Sequence, residues 1–260
     1  MKFPLIKVIS LKDELKRRDS ISSHLRDMDL LYDFFDAIDF RKKNASSVLE
    51  EYLETNFYSL KRPLTNGEIG CSLSHIKVYD DFLASDDDWL LVLEDDANFR
   101  FFDKRYIEEI ISVLEGSSHE LVILGYSKLA VEETKSFYLK EPIKVLYKTS
   151  SHFLGKPWKN WTSGTVSYLI NRSGAKKIVE RYSHSNNKIE TVADDWLFFE
   201  KVCGVDILHC RPLLVFEDFH NHSSAIEDER KLISKKYNHS LEWIRIGRGF
   251  FRRIIMGFKF

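Results

Sequence analysis

Cysteine is scarce in this chain and shows no pairing pattern: Cys71, Cys203 and Cys210 are odd in number and lack CxxC spacing. That argues against a disulfide framework and a structural zinc site, and favours a reducing compartment. Long apolar runs are missing too. Nowhere do about 18 apolar residues follow one another, so no membrane-spanning helix is expected. The opening MKFPLIKVISLKDELKRR holds an apolar run too short and interrupted for a signal peptide, and the chain reads as cytoplasmic. With 11 glycines and 5 prolines in 260 residues, no low-complexity tract and no fixed-period repeat, a linker-rich or disordered protein is excluded. Neither sign of charge dominates: 39 Lys and Arg face 40 Asp and Glu, a net charge of −1. No nucleic-acid partner is expected, since neither that balance nor any helix-turn-helix, zinc-finger or RNA-binding signature calls for one. A glycine-rich phosphate cradle is absent as well.

What is present suffices for a large core, 43% hydrophobic and 13% aromatic. Strands and helices alternate along the first half. LIKVIS reads as a strand, followed by a helix from Asp13 to about Met28. LLYDFFDAID reads as a second strand, and Ala45 to Asn56 as a helix. In LTNGEIGCSLSHIKVYDDFLAS, Thr65 and Glu68 have the spacing of a capping box at a helix start. Ile69, Leu73, Ile76 and Leu83 fall on one face of that helix, and Ser72, His75 and Tyr79 on another. WLLVL and ELVILG read as buried strands, with a helix capped by Asp103 between them. SFYLKEPIKVLY reads as a hairpin, TSGTVSYLI as a strand entered through Gly164, and Ser173 to Arg181 as a helix. DDWLFFEKV reads as a helix begun by Asp194 or Asp195, and VDILHC and PLLVF as closing strands. The order predicts an α/β fold with a mixed central sheet, whose ligands bind beyond the carboxyl ends of strands.

The stretch LVLEDDANFR stands out at such an end. Glu94, Asp95 and Asp96 follow a run built for burial, and two unit charges about 5 Å apart cost about 3 kcal/mol at an effective dielectric near 20. A hard divalent cation, Mg²⁺ or Mn²⁺, with the phosphates of a nucleotide would offset that cost; a solvated loop would as well. Asp194 and Asp195 form a second acidic pair. One can act as a general base, but Asp is also a preferred helix cap. His209, His220 and His222 offer imidazoles to a metal, although HNHSS reads equally as a polar surface loop. After Glu242 the tail WIRIGRGFFRRIIMGFKF has five cations, no acid, and aromatic and aliphatic residues at helical spacing. It suits an anionic membrane surface, or a helix docked on the body with its cations solvated.

Together VISLKDELKRRDSI, FFDAID, LTNGEIGCSLSHIKVY, LVLEDDA, ELVILG, GTVSYLINRSGAKKIV and ADDW resemble glycosyltransferase family 25, from about Ile6 to about Ser224. The resemblance implies a GT-A fold, a Rossmann-like domain binding a nucleotide sugar, over residues 1–225, with a basic amphipathic segment at 226–260. It implies an inverting, metal-dependent transfer of galactose from UDP-galactose, β-linked, onto a lipopolysaccharide, lipooligosaccharide or other lipid-linked saccharide. The enzyme would then be peripheral on the inner face of a bacterial inner membrane. UDP-glucose or UDP-N-acetylglucosamine is the alternative donor, and a non-catalytic saccharide- or membrane-binding protein the alternative class.

Residue by residue, the resemblance places Asp96 as the metal ligand, with Glu94 on the metal or the ribose, Asp95 behind them and His220 as a further candidate ligand. Asp195 or Asp194 is the base. Ser10, Leu11, Arg17 and Arg18 would face the nucleotide, and Asp36, Ala37 and Asp39 the uracil and ribose. Ser72, Ser74 and His75 would line the sugar pocket, leaving Glu68 as a cap. Trp158, Trp161, Gly164 and Thr165 would form an acceptor platform.

Overall fold

The structure, a computed structural model, describes residues 2–41, 43–53, 64–161, 163–218 and 242–257. Its central feature is an eight-stranded mixed sheet. The first three strands, β1 (Leu5–Ser10), β2 (Asp33–Asp36) and β3 (Trp89–Glu94), are parallel, with β1 in the middle. Beyond β3 lies β9 (Ser167–Asn171), antiparallel to both β3 and β5 (Leu121–Ile123). Next come β10 (Ile207–Arg211), parallel to β5, and the antiparallel pair β8 (Phe153–Pro157) and β7 (Ile143–Lys148). WLLVL is therefore flanked by one parallel and one antiparallel neighbour.

Side-chain alternation divides the core between the two faces of this sheet. Leu90, Val92, Ile123, Tyr168 and Ile170 join one cluster, beneath the helices α3 (Asn66–Leu83), α6 (Arg172–His184) and α7 (Trp196–Lys201). Leu91, Leu93, Val122, Leu169 and Leu208 join the other, beneath α1 (Leu15–Asp27) and α4 (Lys104–Leu114). The result is the layered α/β arrangement expected from the sequence.

Helix α3 begins with the expected capping box: the Glu68 N–H donates to Thr65 Oγ1 at 3.2 Å, and the Thr65 N–H donates to Glu68 Oε2 at 3.0 Å. The helix is buried on more than one face, with Ser72, His75 and Tyr79 as enclosed as Ile69 and Leu73. Asp103 caps α4 by accepting the Arg105 N–H. The helix read from Ala45 is α2 (Ala45–Tyr52); its expected last turn lies outside the described residues.

Three features differ from the sequence reading. SFYLKEPIKVLY is not a hairpin: Thr134–Lys140 forms a helix, α5, ending ahead of Pro142, and the hairpin is the following pair, β7 and β8. Phe137 and Tyr138 pack onto the core, a tertiary contact that overrides their strand preference. PLLVF contributes only β11 (Val215–Glu217), which joins a small second sheet with β4 (Ala97–Asn98) and β6 (Gly125–Tyr126). Finally, the tail helix α8 (Glu242–Ile255) docks on α5 through its cations. Arg248 and Arg252 donate to Glu141 at 2.8 and 2.5 Å. It is the apolar side that faces out, with Ile244, Phe250, Phe251, Ile254 and Ile255 each 61–67% exposed.

Candidate active site

The register of β1 sets the frame of the site. Ser10 stands opposite Asp36 of β2, and Ile9 opposite Glu94 of β3, so three carboxyl ends arrive at one edge of the sheet. The amino end of β9 meets them from the other direction, because Leu93 pairs with Ser167 and the Glu94 N–H donates to the Val166 carbonyl at 3.1 Å. The small sheet adds Glu217, opposite Ala97, with the Asp218 N–H on the Asp96 carbonyl. A cleft of about 860 Å³, counting solvent at its mouth, opens there between β1, α1, the 37–39 segment and α3.

Ser10, Leu11, Arg17, Ala37, Asp39, Ser74, Glu94, Asp95 and Asp96 all line this cleft. Asp95 is turned inward: it accepts from the Ser10 hydroxyl at 2.7 Å and from Arg17 Nη1 at 2.9 Å. Arg17 also lies 3.6 Å from Asp96. Arg18, its neighbour, points elsewhere. It donates to the Ser10 carbonyl at 2.8 Å and to Asp36 at 2.6 Å, so Asp36 stands at the rim and braces the strand ends. Ser74 accepts the Ile38 N–H at 2.8 Å, while a Cβ on Gly70 would stand 2.4 Å from the Ile38 carbonyl. That close approach sets α3 against the 37–39 segment.

Glu94 accepts a short hydrogen bond from the Thr165 hydroxyl. Burial, followed by the charges of Glu217, Asp95 and Asp194, pushes its carboxyl up to about 7. Burial and the charges of Glu94, Glu217 and Asp95 hold Asp96 well above the usual carboxylate range, with Arg17 opposing. Asp96 Oδ1 is buried with no hydrogen-bond partner. An orphaned oxygen amid like charges fits a hard divalent cation, for which Asp96 and Glu94 supply oxygen ligands.

The two aspartates of ADDW diverge. Asp195 is 3% exposed; it accepts from the Thr191 hydroxyl at 2.6 Å and from the Phe198 N–H at 3.1 Å, capping α7. Asp194 instead accepts the Gly164 N–H at 2.9 Å. Adjacent residues, Gly164 and Thr165, thus hold Asp194 and Glu94. Gly164 has φ +81, and a Cβ there would collide with Ser127, so only glycine fits this crossing.

His75 is buried beside the acids, its Nε2 3.8 Å from Glu94 and its Nδ1 2.6 Å from the Tyr168 hydroxyl. Burial lowers it to about 3, so the ring is neutral. Ser72 sits behind it, bonded to the Thr191 carbonyl at 3.2 Å. Trp161 packs against Tyr126, Phe137 and His209, whereas Trp158 is exposed at the surface. His209 is no metal ligand: its ring nitrogens engage Tyr126 and Asn160 within the core. His220 and His222 lie outside the described residues.

Glu14, Arg41, Cys71 and Glu217 were not foreseen. The first three line the cleft, and the last adds its charge to Glu94 and Asp96. Only Glu217 left a trace in the sequence. LLVFED, residues 213–218, repeats the pattern of LLVLED, residues 90–95, with an acid at the end of an apolar strand.

The chain is 28% identical over 187 residues to procollagen galactosyltransferase 1-B of Xenopus laevis, a match covering 69% of this chain and 28% of that protein. It is 30% identical over 206 residues to a Haemophilus influenzae protein whose glycosyltransferase description is itself provisional, covering 78% of this chain and 63% of that one. The chain therefore spans less than two thirds of the length of these relatives. A crystal structure of a glycosyltransferase involved in glycosylation of the major capsid of PBCV-1 aligns with a TM-score of 0.41 at 11% identity, over 89% of this chain and 100% of that one. The family model described as glycosyltransferase family 25 (LPS biosynthesis protein) matches residues 3–197, and the chain belongs to that family.

Proposed function

We propose that this chain is an inverting, metal-dependent glycosyltransferase that moves a hexose from a UDP-sugar to a saccharide acceptor. UDP-galactose is the first donor to test, and a lipid-linked saccharide of the lipopolysaccharide or lipooligosaccharide type the first acceptor. The observation that carries this reading is the meeting of Glu94, Asp96 and Asp194 beside a cleft edged by Ser10, Leu11 and Arg17.

The roles follow from position. Ala37 and Asp39 border the outer cleft, where uracil and ribose fit, and Arg17 brings positive charge to the diphosphate. Asp96 and Glu94 would hold Mn²⁺ or Mg²⁺, which when bound stabilises charge on the departing diphosphate. Asp194, oriented by the Gly164 N–H, takes the proton of the acceptor hydroxyl as that oxygen bonds to the sugar C1 and the C1–O bond to UDP breaks. One in-line displacement inverts the anomeric centre. Asp195 keeps α7, and with it Asp194, in place.

The outward apolar stripe of α8 supports peripheral contact with a membrane surface, at the cytoplasmic face if the acceptor is made there. Among the described residues no helix is long and apolar enough to cross a membrane. On this reading residues 1–225 carry catalysis and 226–260 carry membrane contact.

The test is UDP release across UDP-galactose, UDP-glucose and UDP-N-acetylglucosamine, with and without Mn²⁺ and with a saccharide acceptor, in wild type and Asp96→Asn. Metal-dependent release that peaks with one donor and disappears in the variant supports the reading and names the donor. Failure of UDP to bind in the presence of Mn²⁺ would leave the non-catalytic alternative.

A further inference from the structure

Cys71 and His75 stand four residues apart on α3, one turn above the other on the same helix face. Glu94, at the end of β3, completes a cluster in which the thiol sulfur, an imidazole nitrogen and a carboxylate oxygen all lie within 4.8 Å of one another. His75 is 2% exposed, and its Nε2 has no hydrogen-bond partner although it is buried. That atom is aimed at the cluster, 3.8 Å from Glu94 Oε1.

We propose that Cys71, His75 and Glu94 form a binding site for a borderline-soft divalent ion, Zn²⁺, at the floor of the cleft, beside the hard-cation position at Asp96 and sharing Glu94 with it. One thiolate, one imidazole and one carboxylate, with a fourth position left open, make up a zinc donor set; Mg²⁺ and Mn²⁺ have little affinity for the thiolate. The open position faces the cleft, because Cys71 and Glu94 both line it. Tetrahedral zinc, with bonds of about 2.0–2.3 Å, brings its ligand atoms to roughly 3.5 Å from one another, so the cluster closes by about 1 Å on binding.

The surrounding groups are those that orient metal ligands. His75 Nδ1 lies 2.6 Å from the Tyr168 hydroxyl, which lies 2.6 Å from the Tyr79 hydroxyl. With the Nδ1 proton donated to Tyr168, Nε2 presents its lone pair to the metal. The Thr165 hydroxyl donates to Glu94 Oε1, the oxygen that faces His75, and so orients it. Occupation would take Glu94 away from the hard cation and fill the cleft floor, so Zn²⁺ would compete with a bound nucleotide sugar. The binding claim stands apart from the sugar-transfer reading, since metal binding is measured without turnover.

The experiment uses the full chain under reducing conditions. Zn²⁺ is titrated against a chromophoric chelator, and Co²⁺ is used as a spectroscopic probe of the ligands. One equivalent should bind, and Co²⁺ should show a near-ultraviolet thiolate-to-metal band. Cys71→Ala should remove the band, and His75→Gln should weaken Zn²⁺ at least about 10-fold. Asp96→Asn should keep the band, since Asp96 is not among the three ligands, and circular dichroism should confirm that each variant is folded. Absence of the band in the wild type would overturn the proposal, which keeps it falsifiable should a variant fail to fold. Persistence of the band in folded Cys71→Ala, or loss of Zn²⁺ in Asp96→Asn with no loss in His75→Gln, would overturn it too.

Discussion

Arg17 and Asp95 are 78 residues apart in the chain and meet at 2.9 Å, the guanidinium of α1 closing over the middle carboxylate of the acidic triplet. Both side chains are largely buried, 14% and 9% exposed. Removing one member of such a pair strands the other charge. Arg17→Ala should therefore destabilise the fold by about 3 kcal/mol, read as a lower urea midpoint at unchanged slope. An unchanged midpoint would mean that Ser10 alone satisfies Asp95.

The two aspartates of ADDW should separate stability from turnover. Asp195→Ala removes the α7 cap and the Thr191 bond, costing about 1–3 kcal/mol by thermal or urea unfolding. Asp194→Asn should keep the fold and the binding of UDP while lowering UDP-sugar turnover roughly 10²- to 10⁴-fold. If Asp194→Asn retained full turnover, the base would have to be sought elsewhere.

Linkage gives the proposed metal site a pH signature. Glu94 in the fold is pushed up to about 7, above its ordinary value of 4.5. The folded state then binds more protons than the unfolded state between those values. Its contribution is fully present below the lower value and is lost as pH rises through the upper one. His75, lowered to about 3, acts in the opposite sense, costing stability as pH falls below its ordinary 6.5. Above about pH 6.5 the Glu94 contribution acts without His75 opposing it, so the Tm with chelator present should fall between about pH 6.5 and 8. Glu94→Gln should reduce that fall, to which the likewise raised Asp96 adds in the same sense, and the rise in Tm caused by Mn²⁺ should be larger at the upper end of the window. A Mn²⁺ effect independent of pH would count against Glu94 as a ligand.

Gly70 offers a test of the frame with no carboxylate involved. A methyl group there meets the Ile38 carbonyl at 2.4 Å, and backbone cannot swing aside as a side chain can. Gly70→Ala should cost about 1–3 kcal/mol and displace the 37–39 segment, weakening UDP binding more than it alters acceptor binding. Urea unfolding reads the first effect and calorimetric titration with UDP the second.

On α8 the expectation concerns a surface. Phe250→Ser with Phe251→Ser should reduce binding to anionic vesicles several-fold while UDP release from the donor, with a water-soluble acceptor, is unchanged. Co-sedimentation with vesicles measures this, and undiminished binding would assign the contact to another face.

Much of the layered fold could be read from the chain because burial leaves periodic traces. Leu90 to Leu93 read as a buried strand, since each residue faces one layer or the other. Thr65 and Glu68 read as a cap because the motif is local. SFYLKEP was misread because Phe137 and Tyr138 become helical only through packing on residues distant in sequence. Arg41 and Cys71 were missed because lining a cleft depends on which loop faces which helix, and no spacing records that.

The sequence by itself determined that a buried strand ends in Glu94, Asp95 and Asp96, that ADDW starts a helix, and that the tail is cationic and apolar at helical spacing. These are properties of neighbours along the chain, where periodicity and capping act. Only the tertiary structure decided that Asp95 turns inward to Ser10 and Arg17, that Asp195 caps while Asp194 faces the acids, and that α8 docks by its arginines with its phenylalanines outward. Those outcomes depend on register between strands and on charge–charge distances across the sheet edge. Such distances are set when segments a hundred residues apart, like Glu94 of β3 and Asp194 before α7, are brought together by burial of the shared core.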